Sequence, residues 1–301
     1  MVAVVQYVGS NGWDQNNDRQ INTLPVGDIT HRQQVASGTP PNRFRNFPGF
    51  ANINQEENET NFHYNSLQSG IRFENKHGLT TQLAYTWSHE IDNATNDLNG
   101  LSNPYSAGYD RSSGGLDRRH IFNASYVYAL PFAKHSDNLF AREVVGGWSI
   151  SGITLLEKGV PQLIRYSGTD TVGLGGGTTN RPNQTGKMSY PKTQTAWFDK
   201  SKFTDPVAPW NGGPGGVNAG FGNSGRDAVV LPGLSNWNLS LFKSIPFKEG
   251  GPRIELRFES FNTFNHTQFQ SVDASNKDGN FGQTTGIYQP RALELGGKFI
   301  F

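Results

Sequence analysis

The chain has 301 residues, with 26 Lys and Arg against 25 Asp and Glu, seven His and no Cys. Zero Cys excludes disulfide scaffolds, thiolate zinc sites and cysteine nucleophiles, and a net charge of +1 leaves no footprint for nucleic acid or an anionic membrane surface. Mean hydropathy is −0.58 and no run of about 18 apolar residues occurs, which excludes a transmembrane helix but not a transmembrane β-barrel, whose strands alternate.

The chain opens on Met1-Val2-Ala3-Val4-Val5-Gln6-Tyr7-Val8, with no basic region and no small-residue cleavage site. It reads as a strand, either of a cytosolic β-protein or of a chain whose true beginning lies upstream. Alternation of apolar and polar residues marks further strands, because successive side chains point to opposite faces. From Tyr64 to Glu74, Leu67, Ile71 and Phe73 share one face and Gln68, Arg72 and Glu74 the other. Asn75-Lys76-His77-Gly78 reads as a hairpin connection. Leu79, Thr81, Leu83, Tyr85 and Trp87 then line one face of the next strand, and Phe122, Ala124, Tyr126, Tyr128 and Leu130 one face of another. A strand starts at Trp148, and Trp237, Leu239 and Leu241 mark one more. After the turn at Lys248-Glu249-Gly250-Gly251-Pro252, Ile254, Leu256 and Phe258 alternate with Arg253, Glu255, Arg257 and Glu259. The end carries Leu293, Leu295, Gly297, Phe299 and Phe301 on one face. Eight strands result: 2–9, 62–74, 79–89, 119–130, 147–158, 236–247, 253–264 and 291–301.

The connections alternate in length. Residues 10–61, 90–118, 159–235 and 265–290 are long and rich in Gly, Asn and Pro; 75–78, 131–146 and 248–252 are short or moderate. Compact soluble domains seldom hold structureless loops beyond about 15 residues. Outer-membrane barrels have this asymmetry, with short periplasmic turns and long extracellular loops. Trp87, Trp148, Trp237, Phe132, Phe247 and Phe301 stand at strand ends, where aromatics anchor at a membrane interface. The fold expected is all-β: an antiparallel transmembrane β-barrel segment of about eight strands, as a curved open sheet or partial barrel. Its two unpaired edges would be Val2–Val8 and Leu293–Phe301.

An ordered set of short stretches runs the length of the chain. They are Tyr7-Val8-Gly9-Ser10, Tyr64-Asn65-Ser66-Leu67-Gln68, Tyr85-Thr86-Trp87-Ser88, Ile91-Asp92-Asn93, Arg118-Arg119-His120-Ile121-Phe122 and Tyr126-Val127-Tyr128-Ala129-Leu130-Pro131-Phe132. They continue with Gly146-Gly147-Trp148-Ser149-Ile150-Ser151-Gly152, Arg181-Pro182-Asn183, Phe221-Gly222-Asn223-Ser224-Gly225-Arg226, Phe261-Asn262-Thr263-Phe264-Asn265-His266 and the end from Pro290-Arg291 to Phe301. In this set the chain resembles the C-terminal barrel portion of TonB-dependent outer-membrane receptors of the Oar-like group, which carry an N-terminal carboxypeptidase-regulatory-like domain. The resemblance implies a bacterial outer-membrane location and ligand-gated uptake powered through TonB. Barrels of that family have about 22 strands. Residues 1–301 are therefore expected to be the last part of a receptor barrel, without plug, regulatory-like domain or signal peptide, so that TonB is reached only through the missing plug. Leu293, Leu295, Phe299 and Phe301 resemble the C-terminal signal read by the outer-membrane assembly machinery.

Other candidates are weaker. Arg253, Glu255, Arg257 and Glu259 are expected to face a wet lumen as cross-strand charge pairs. Gly173-Leu174-Gly175-Gly176-Gly177-Thr178-Thr179 lacks the Lys and helix of a phosphate loop and reads as a flexible extracellular loop. Asp92, Asp97, Asp110 and Asp117 match no calcium loop and read as solvated. The His residues (31, 63, 77, 89, 120, 135 and 266) show no zinc spacing, and no Gly-x-Ser-x-Gly elbow occurs. Neither an enzyme nor a cofactor or metal site is expected. Trp13, Phe44, Phe47, Phe50, Trp197 and Trp210 are loop aromatics that could meet an extracellular ligand, whose identity the sequence does not give. The alternative is a soluble or surface β-sandwich of carbohydrate-binding type.

Overall fold

Eight long strands form one antiparallel sheet in the computed structural model, which describes residues 1–93, 100–133, 138, 140, 144–248 and 251–301. They are β1 (Val2–Gln20), β2 (Asn54–Lys76), β3 (Leu79–Asp92), β4 (His120–Ala129), β5 (Trp148–Glu157), β6 (Leu234–Pro246), β7 (Arg253–Phe261) and β8 (Ala292–Ile300). Each pairs with its neighbours in sequence, so the sheet is an unbroken meander. The two-residue strand Ser112–Ser113 adds to β3 at Ile91 and Asp92. β1 and β8 each have one long partner only, which leaves the sheet open with the two free edges expected.

Register sorts the faces. One row across six strands reads Leu79, Tyr128, Ile150, Leu241, Phe258, Leu295. The adjacent row, pointing the other way, reads Thr80, Val127, Ser151, Ser240, Glu259, Glu294. A one-residue slip in any strand would exchange its two sets, so the pattern holds the register. The apolar face stays uncovered: Tyr7, Leu67, Trp87, Leu256, Phe258 and Leu293 are all exposed. Among the described residues the other sheets are two-stranded ladders inside the long connections, and none packs on this face. A β-sandwich would need such a partner, and that alternative falls.

The structure lengthens two strands. β1 runs to Gln20 and β2 starts at Asn54, where a loop spanning 10–61 was expected. The ladder crosses an irregularity between Gly12 and Asn16, with Asp14 at φ +53°, and continues through polar pairs. Asn16 donates to Glu56, and Arg19 bridges Glu57 at 2.8 Å and Glu59. Both faces of this extension are polar, so it carries no alternation to detect. The hairpin after β2 narrows to His77-Gly78, whose φ values of +52° and +82° give the right-handed twist of a two-residue turn. Asp97, His135, Glu249 and Gly250 lie outside the described residues.

The long connections are folded. The helix α1 (Ile29–Ala36) is capped by the Asp28 side chain, which accepts from the His31 amide. Three short ladders pair Pro161–Gln162 with Val229–Val230, Asn183–Gln184 with Phe203–Thr204, and Phe269–Val272 with Thr284–Ile287. Two apolar clusters hold them. The first packs Ile164, Trp197, Phe198, Val229, Val272 and Phe281; the second packs Leu24, Val35, Val172, Leu174 and Phe221. Each draws on connections far apart in sequence, so the loops at this edge form one cap. Trp197 and Phe44 belong to these clusters, Phe44 stacking on His31 at 4.1 Å, while Trp13, Phe47 and Phe50 are exposed.

Candidate functional site

The cap is locked by buried arginines. Arg32 on α1 is fully buried; its Nε donates to the Val172 carbonyl at 2.7 Å and its Nη2 to the Ala219 carbonyl at 2.6 Å. Arg181 lies over the Tyr109 ring at 3.7 Å and donates to Asp110 at 3.1 Å and to the Tyr109 carbonyl at 2.7 Å. Arg226 donates to Asp92 at 2.9 Å and to the Asp110 carbonyl at 3.1 Å, which ties the cap to the end of β3. Asp117 accepts from the Glu90 amide at 3.0 Å and from Arg119 at 2.7 Å. Asp92, Asp110 and Asp117 are buried, each with an arginine partner. The solvated reading of these three is therefore corrected: charge pairing, not water, neutralises them. Burial also pulls the Arg32 guanidinium below its ordinary pKa and raises the Tyr109 phenol, the latter opposed by Arg181.

The glycine run is part of the same packing. Val172 and Leu174 are core residues, and Asp170 accepts from the amides of Val172 and Gly173 at 2.8 Å. Gly173 has φ +69° and sits against the Arg32 carbonyl, where a Cβ would collide. Gly173 and Leu174 are thus packed into the cap, while Gly175, Gly176 and Gly177 are exposed.

The polar face of the sheet forms a trough of about 520 Å³, lined by Gln82, Ser125, Ser151, Asn238, Ser240 and Glu259, among others. Arg253, Glu255, Arg257 and Glu259 share this face. Their pairing differs from the cross-strand pattern expected. Arg257 bonds Glu255 along its own strand at 2.7 Å and lies over the Phe242 ring at 5.5 Å, while Glu259 stands opposite Glu294. Arg72 and Glu74 repeat the same along-strand pair on β2, at 2.5 Å. On the other face, the Phe299 ring lies tilted against those of Phe247 at 6.2 Å and Phe301 at 6.1 Å. Leu295 and Phe301 are 84% and 98% exposed.

Residues 1–294 match the outer membrane beta barrel domain family. The chain belongs to that family. No curated protein matches it. Among solved structures, the outer membrane transporter YddB from Escherichia coli overlays with a TM-score of 0.47 and 9% identity. The overlay covers 99% of this chain, which spans 30% of that one.

An outer membrane beta barrel domain resides in the bacterial outer membrane, and this gives the two faces their surroundings. The apolar face meets lipid and the polar face the lumen. The edge with His77-Gly78 and the turn after β6 is periplasmic; the capped edge is extracellular. Trp148, Phe132, Phe247 and Phe301 lie at the periplasmic edge, with Trp87 and Trp237 toward the other. From Trp237 to Phe247 the chain rises about 33 Å at about 3.3 Å per residue. At a tilt of about 40° this matches an apolar band about 25 Å tall. Lys243 lies on the lipid face near the periplasmic edge, and its Nζ turns to the carbonyls of Val144 and Gly146 beside the Trp148 ring. That is the snorkelling expected of a cation in this position.

Arg32, Lys243 and the buried role of Asp110 escape a sequence reading. Arg181 and Arg226 do not wholly: both fall in stretches that carried the family resemblance, though nothing there named their partners.

Proposed function

We propose that the chain is the C-terminal wall, residues 1–301, of a TonB-dependent receptor of the Oar-like group, which takes up a solute across the outer membrane. One observation carries the reading: a polar inner face continuous with a folded extracellular cap, on a sheet whose outer face is apolar. A lumen wall beneath ordered loops suits capture and passage of a solute. The ordered motif set supports the same family. In this reading the chain is a conduit and not an enzyme, and needs no cofactor or metal. Its partners are lipid around the outer face, the assembly machinery at β8, an extracellular ligand, and TonB through a plug segment. It has no nucleic-acid partner.

Crosslinking in cells that express the native gene tests the TonB-dependent part. The product containing these strands should fractionate with the outer membrane and crosslink to TonB, in a pattern that changes when the proton gradient is collapsed. A product that reaches the outer membrane and never crosslinks to TonB would overturn it.

A further inference from the structure

We infer that the extracellular end of the inner face holds a binding site for a neutral, hydroxyl-rich ligand of the oligosaccharide class. This rests on the receptor reading and names its solute. The site is a cleft of about 250 Å³ between β6, β7 and the connection that leads into β8. Asn236 and Asn238 line it, with Phe261 and Tyr288. Register puts Asn238 opposite Ile153 and two residues from Ser240, so these side chains point to the lumen and not to lipid.

Three properties select the ligand. First, none of the nine residues lining the cleft is charged. An anionic ligand would lose water there without gaining a counter-charge. Second, the free polar groups are amides and the Tyr288 hydroxyl. The Asn238 Oδ1 accepts from the Asn262 amide at 3.0 Å. The Asn262 side chain is held by the carbonyls of His266 at 3.1 Å and Gln289 at 3.3 Å, and Gln268 by the backbone of Ser235. These bonds fix the walls. They leave the Nδ2 of Asn238 and the whole amide of Asn236 without a protein partner among the described residues. A carboxamide presents donors beside an acceptor, and a pair of neighbouring hydroxyls presents the same. Third, Phe261 and Tyr288 are each 42% exposed, which offers ring faces to the C–H face of a sugar. The cleft shares Asn238 and Phe261 with the larger trough below. There Ser240, Ser151, Ser125 and Gln82 offer further hydroxyls and an amide, beside the apolar Val127, Ile153 and Phe242 and the charged Arg72 and Glu259, so the uncharged site is the cleft and not the whole trough.

The test uses the native gene product in detergent micelles, titrated calorimetrically with maltohexaose and with cellohexaose. Ferric citrate serves as the anionic probe and tetra-alanine as the neutral peptide probe. Saturable binding of one of the two oligosaccharides is expected. Asn236→Ala, Asn236→Asp and Phe261→Ala should each weaken it by about tenfold or more, with strand circular dichroism unchanged. The inference is overturned if neither oligosaccharide binds, if binding is indifferent to all three substitutions, or if ferric citrate or tetra-alanine binds this cleft more tightly. Oligosaccharide binding that depends on these residues, in a product that does not crosslink to TonB, supports the site and removes only the TonB-dependent reading.

Discussion

At the scale of single residues, the cap depends on charges held out of water. The side chains of Arg181 and Asp110 are 1% and 3% exposed, and each is the other's neutralising partner. Removing one leaves the other buried and unpaired, which costs on the order of 3–5 kcal/mol. Arg181→Leu should therefore make the connections at 100–119 and 158–233 far more sensitive to limited proteolysis while the strands stay protected; equal resistance in variant and parent would contradict this. The phenols give a pH dependence. Burial raises Tyr105, Tyr109 and Tyr190 above the ordinary value of 10.0. The folded cap then holds protons that the unfolded chain releases, so its stability is full below pH 10.0 and falls as pH rises through the higher folded values. Proteolysis of the cap should accelerate across that alkaline range as tyrosinate absorbance grows; a cap equally resistant throughout would refute the argument. The pairings themselves were not legible in the sequence, although Arg181 and Arg226 fall in stretches that carried the family resemblance. Asp92 and Arg226 are 134 residues apart and Asp110 and Arg181 are 71 apart, within segments whose Gly, Asn and Pro content reads as open loop.

At the scale of elements the sequence was far more informative, because a strand's neighbours are set by a period of two that is written locally. All eight strands stand where alternation places them, and the lipid face of β7 is the one that Ile254, Leu256 and Phe258 define. What the period could not reach was the polar extension of β1 and β2, where both faces are wet. The contrast between faces makes a substitution test. Phe258→Arg places a cation on the lipid face opposite Leu241, in the middle of the span, and should cost about 2–4 kcal/mol near the membrane midplane. Ser240→Arg places the same cation on the inner face and should cost far less, since water solvates it there. Urea unfolding in micelles measures both; equal losses would contradict the assignment of faces. The terminal strand carries a separate expectation. If Leu293, Leu295, Phe299 and Phe301 form the signal read by the assembly machinery, Phe301→Ala should lower the amount of barrel in the outer membrane several-fold in cells. Refolding of the purified chain in detergent should be unaffected, since Phe301 is almost wholly exposed. An unchanged cellular yield would remove that role.

At the scale of the whole molecule, the arrangement is a wall with three environments: lipid outside, water inside, and an ordered cap at one edge. The family assignment and the register agree on it, and the free edges of β1 and β8 show where further strands can pair. The absence of native Cys allows a direct test, because single cysteines can be introduced one at a time along β6 and β7 and labelled with a fluorophore. Quenching by brominated lipid should alternate with period two. Labels at Leu239, Leu241, Leu256 and Phe258 should be quenched by lipid, and labels at Asn238, Ser240, Glu255 and Arg257 by a water-soluble agent instead. Uniform access to water along both strands, or lipid quenching at the second set, would contradict a membrane-spanning wall.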